Sequence, residues 1–163
     1  MLGMSILNYI KTRKIRHEAR KYAAYMYNDI TNEIDSILQG SSARPLLTVE
    51  LMFLSLWYLQ LRLELPEAVK YFIIDEIHQI LYSSINKEDR ATLREELISA
   101  YNIYNEAMSD ERMEKIGLYF VAKISKLSGQ PVNIEHISLP LILFSTLDEK
   151  ITMYSVAYKN GDL

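Results

Sequence analysis

A chain of 163 residues with a formal net charge of −3 and no cysteine has the size of one domain, and these totals exclude several classes at once. Without a thiol there is no disulfide, no thiolate nucleophile and no cysteine-ligated zinc. A mildly acidic whole also gives nucleic acid no general attraction, so nucleic acid is disfavoured as a partner.

Hydrophobic residues make up 49% of the chain, with only five glycines and four prolines. That composition folds, and it lacks the turn residues that many short strands require. The first residues read MLGMSILNYIKTRKIRHEARK, with the apolar segment ahead of the basic one. This is the reverse of a secretory signal peptide, so the chain is expected to be unprocessed and cytoplasmic.

Apolar residues at Ile15, Ala19, Tyr22, Met26, Ile30, Ile34 and Ile37 recur at steps of three and four and predict a long first helix, ended by Gly40. The same helix carries Lys11, Arg13, Lys14, Arg16, Arg20 and Lys21, answered within that span only by Glu18. Residues 1–44 hold seven basic and four acidic side chains, whereas residues 45–163 hold eleven and seventeen. This basic face is a candidate for binding an acidic protein surface, anionic lipid or a nucleic acid backbone. The alternative is a solvated face that pairs with the acidic remainder of the fold. The apolar run Met1–Ile10 before it is large enough to need covering, by the fold, by a second copy of the chain or by a membrane surface, of which the first two are preferred.

Leu46 to Leu65, LLTVELMFLSLWYLQLRLEL, has fourteen apolar residues in twenty. As a helix it is greasy on two sides, with Met52, Leu56, Leu59 and Leu63 along one seam and Leu51, Leu54, Tyr58, Leu61 and Leu65 along the opposite one. Two apolar seams require partners on both sides, which makes this helix, about 48–64, the centre of the domain. Thr48 is the expected N-cap, and Glu50 and Glu64 are expected at its solvent edge. Glu50, Gln60, Arg62 and Glu64 interrupt the segment too often for a membrane span, so no transmembrane segment is expected. The alternation in LQLRLEL could suggest a strand, but Leu, Gln, Arg and Glu favour helix and no hairpin signal follows.

Pro66 opens the next helix, PEAVKYFIIDEIHQILYSSI, in which Asp75 and His78 share a face. A carboxylate and an imidazole at that spacing can contribute to a metal site. No second motif supports such a site, so a packed histidine oriented by Asp75 is preferred and no metal is assigned. Asn86 with Asp89 resembles a capping box ahead of a fourth helix, whose inward stripe is Leu93, Leu97, Ala100, Tyr101, Tyr104 and Met108. A break is expected at Ser109. A fifth stripe runs through Met113, Ile116, Phe120, Ile124 and Leu127 to Gly129. A sixth, after Ser138 and Pro140, runs through Phe144, Leu147, Ile151, Tyr154 and Tyr158.

These readings predict a single all-α domain over 1–163, with five or six helices packed around the central one. Phosphate-loop, dinucleotide, nucleophile-elbow and zinc-protease motifs are all missing, so neither a catalytic residue nor a cofactor is assigned. The leading expectation is a non-catalytic helical interaction or adaptor module, binding a protein partner or itself as a homodimer through tyrosine-rich surface. Twelve tyrosines suit interfaces and the rims of cores. The alternative is a carrier or sensor that holds an apolar small molecule between helices, lined by Trp57, Tyr58, His78 and some of the methionines. A metal-dependent enzyme centred on Asp75 and His78 is the weaker alternative.

Overall fold

The computed structural model describes residues 2–41, 44–108, 113–131 and 133–161, excluding the side chains of residues 2–11, 113 and 114. Within these residues the fold is all-α. Its elements are α1 (Leu2–Ile37), α2 (Arg44–Arg62), α3 (Glu67–Ser83), α4 (Arg90–Met108), α5 (Met113–Ser128) and α6 (Leu139–Asn160), with a 3₁₀ turn (Ile134–Ser138) ahead of α6. No helix among the described residues is long and apolar enough to cross a membrane.

Helix α2 packs against each of the other five α-helices, and its residues from Glu50 to Leu59 are all buried. Both seams are apolar along this stretch, so each can be covered by different neighbours. On one flank α1 lies along α3, on the other α4 lies along α5, and α2 and α6 fill the space between. Arg16 over Phe72 and Arg20 beside Glu76 show that α1 and α3 run parallel. Tyr22 against Tyr158 and Asp29 against Lys150 show that α1 and α6 run antiparallel.

Several local expectations are corrected. Helix α2 starts at Arg44 rather than at Thr48, because Pro45 has a backbone preset for a first helical turn and needs no amide partner there. Asn86 does not cap α4. Its carbonyl instead accepts the Asp89 amide in a turn, and the Leu93 amide bonds the Asp89 carbonyl to open the helix. Leu61 is 51% exposed and Leu65 half-buried, so the second α2 seam is covered only as far as Tyr58.

Glu50, expected at the solvent edge, is 3% exposed. Helix α5 crosses that side of α2 and sets the Lys123 ammonium 2.7 Å from the Glu50 carboxylate and 5.4 Å above the Phe53 ring. Helical periodicity identifies a face, but not which neighbour will cover it. Gly40 and Gly129 take left-handed backbone, with φ of 81° and 67°, where α1 and α5 stop, as the sequence suggested. Ser109, where a break was expected, lies outside the described residues.

Candidate functional site

The loop 84–89 joins α3 to α4, but the two helices do not pack closely along their lengths. They splay apart, and Gln60 and Leu61 at the C-terminal end of α2 lie exposed in the gap between them. What spans the gap is a hydrogen bond of 2.9 Å between His78 Nε2 on α3 and the Tyr101 hydroxyl on α4. Around this strut lie three adjoining hollows.

The first hollow, about 480 Å³, is walled by His78 and Tyr82 of α3 and by Arg90, Arg94 and Ile98 of α4. The second, about 310 Å³, extends along α3 past Ile74, Tyr71 and Lys70, with Gln60 of α2 at its base. The third, about 390 Å³, lies between α2 and α4 and is lined by Trp57, Gln60, Leu61, Ile98 and Asn105. Tyr101 lines all three, so they form one three-lobed basin.

Its chemistry is mixed in the manner of a recognition surface. Leu61, Tyr71 and Ile98 stand at its rim, exposed by 51%, 68% and 52%. Trp57 is buried beneath them, its indole N–H donating to Asn105 Oδ1 at 2.8 Å. The basin therefore offers aliphatic and aromatic surface beside amide, phenol and guanidinium groups, all on helices. Burial, together with the nearby Arg94 charge, lowers the His78 pKa from its ordinary value, against the opposing pull of Asp75. Burial likewise raises Tyr101, which stays a protonated phenol.

The structure brings together two of the three residues singled out for ligand contact. Trp57 and His78 both face the basin. Tyr58 points to the other side of α2, stacked on Phe144 at 4.0 Å with its hydroxyl donating to Asp148 at 2.8 Å. His78 is positioned by Tyr101 rather than by Asp75, because Tyr101 projects across from α4 whereas Asp75 is an exposed neighbour on the same helix. Among the described residues, no three His, Asp or Glu side chains are grouped to hold a metal ion. No methionine lines the three hollows.

Sequence reasoning passed over the hub itself. Tyr101 stood in the inward stripe of α4, where a half-buried position looks like core. Ile98, a large apolar residue next to that stripe but off it, was the available signal. The exposed Leu61 was another.

The basic face of α1 is partly used within the fold. Arg16 lies 5.0 Å from the Phe72 ring centroid, Arg20 Nε reaches Glu76 at 3.0 Å, and Lys14 approaches Glu18 at 3.9 Å. Arg13, Lys14, Arg16, Arg20 and Lys21 are exposed, and Arg13, Arg16, His17 and Arg20 share a shallow hollow of about 350 Å³. The side chains of Lys11 and of the apolar run Met1–Ile10 lie outside the described residues.

No family model, curated protein or solved structure matches the chain.

Proposed function

We propose that this protein is a non-catalytic helical interaction module that receives a segment of a protein partner in the basin between α3 and α4. The observation that carries this reading is the adjacency of the three hollows around Tyr101, beneath a rim of exposed Leu61, Tyr71 and Ile98. The residues of α3 that border the basin are spread from Glu67 to Tyr82, a span of fifteen residue steps. At 1.5 Å per residue this is roughly 22 Å, the length of about four helical turns. A small ligand would fill one lobe, whereas a helical segment contacts all three.

The floor and strut are already ordered before anything binds. Trp57 is held by Asn105 and His78 by Tyr101, so docking loses little side-chain freedom. Exposed aromatic and aliphatic residues around a buried tryptophan supply the usual anchors of helix-in-groove recognition.

The test is selection of displayed helical peptides on the purified protein, followed by binding to two variants. Ile98→Asp places a charge at the rim and should abolish binding. Met153→Asp, on the exposed outer face of α6, should leave it intact. Selected peptides that bind Ile98→Asp as tightly as the parent would refute the reading.

A further inference from the structure

The lobes of the basin differ in charge. Arg90 and Arg94 stand one turn apart on α4 and both face the first hollow. Neither makes an ion pair among the described residues, and Arg90 Nε is buried with no hydrogen-bond partner. A buried guanidinium nitrogen left unbonded carries a desolvation cost. Asp75 lines the same hollow, but not within ion-pairing distance of either arginine. With His78 held below its ordinary pKa and therefore neutral near pH 7, the charged side chains of this lobe sum to one positive charge.

The second lobe sets Lys70 against Glu67 and against Asp75, which it shares with the first, and so carries no positive excess. The third has no charged lining, only Trp57, Leu61, Ile98 and Tyr101 with the amides Gln60, Asn102 and Asn105. Charge at one end and apolar surface at the other give the basin a direction.

Resting on the docking reading above, we infer that the occupant is an amphipathic helical segment of another protein. It presents a carboxylate to Arg90 and Arg94 and apolar side chains to Trp57, Leu61 and Ile98. Arginine pairs suit carboxylates because the planar guanidinium donates two parallel N–H bonds to the two oxygens. A second copy of this chain is a poorer occupant. Most large apolar residues of the described helices are buried in the chain's own core, although Leu118 and Leu127 of α5 and Met153 and Val156 of α6 are exposed.

The experiment uses a library of displayed 18-residue helices, selected in parallel on the wild type and on the Arg90→Glu/Arg94→Glu double variant. Circular dichroism melts confirm that the variant folds, and sedimentation of the free protein reports its oligomeric state. Wild-type binders should share Asp or Glu at one end and apolar residues at helical spacing. Replacing that acid by Gln should weaken them about tenfold or more, the effect of losing a charged hydrogen-bond pair. The double variant should select Lys or Arg at the same position.

Binders that are lost on Ile98→Asp but show no preference for charge overturn the carboxylate and leave the docking reading standing. Binders indifferent to Ile98→Asp overturn both. A dimer in solution that Ile98→Asp separates assigns the basin to a second copy and overturns the choice of partner. Inorganic phosphate that displaces the peptides at millimolar concentration assigns the arginines to a phosphate instead.

Discussion

Trp57 and Tyr58 are adjacent on α2 and almost equally buried, at 3% and 4% exposure, yet they belong to regions of opposite character. Tyr58 faces α6, where the polar groups answer one another. Its hydroxyl donates to Asp148, Arg62 approaches the same carboxylate at 3.6 Å, and Tyr154 donates to Asp29 at 2.6 Å. Burial first, and then the Asp148 acceptor, raise the Tyr58 pKa to about 12, so the phenol remains a donor. Trp57 faces the gap between α3 and α4, where Arg90 Nε is unbonded and Leu61 and Ile98 are exposed. The α6 side of α2 is the more fully paired, with Ser155 Oγ left unbonded among its described residues. The other is half finished, and its unmet surface is what the proposed partner would use.

This contrast predicts a graded series of effects. The largest belongs to the closed side. Phe144→Ala removes the ring stacked on Tyr58 and should cost about 3–5 kcal/mol in urea denaturation. A cost below about 1 kcal/mol would mean that this ring does not seat α6.

Next comes the buried pair of Glu50 and Lys123. Lys123→Met alone strands a buried carboxylate and should cost about 3 kcal/mol, while Glu50→Gln combined with Lys123→Met should recover most of that loss. A double variant no more stable than the single one would show that the pair is not coupled.

A smaller effect concerns pH, and its sign differs between two residues. His78 has a lowered pKa in the fold, so on acidification the unfolded chain takes up this proton first. Its contribution to stability therefore declines as pH falls below about 6.5 and levels off below the folded pKa. His78→Gln should flatten that part of a stability profile, and an unchanged slope there would contradict the assignment. Glu50 has a raised pKa because burial outweighs the neighbouring Lys123. The fold holds this proton longer than the unfolded chain does, so stability declines as pH rises from about 4.5 through the folded pKa. Glu50→Gln should remove that decline.

The smallest effect on stability is expected on the open side. Ile98→Asp should change the unfolding free energy by no more than about 0.5 kcal/mol, since the side chain is half exposed. The same substitution should abolish docking. A large destabilisation would place Ile98 in the core and close the comparison.

Much of the architecture was legible in the sequence. The two apolar seams of α2 announced a helix with partners on both sides, because a stretch this apolar buries most of both seams. The stripe Phe144, Leu147, Ile151 and Tyr154 marked the buried face of α6. Gly40 and Gly129 marked two helix ends. The candidate site was legible only in part. Trp57 and His78 were noticed as residues, but nothing in their spacing showed that they share one surface.

Sequence alone determined which positions are apolar, at what period they recur, and hence that this chain forms helices with a doubly buried one at the centre. Local periodicity is a property of neighbouring residues, and those are printed in order. Only the tertiary structure decided that α5 would cover Glu50, that α6 would take Tyr58, and that α3 and α4 would splay around Tyr101. These outcomes depend on how the helices cross. Crossing is set by side chains far apart in the chain meeting in space, as Trp57 and Asn105 do across 48 residues, and no local pattern records it.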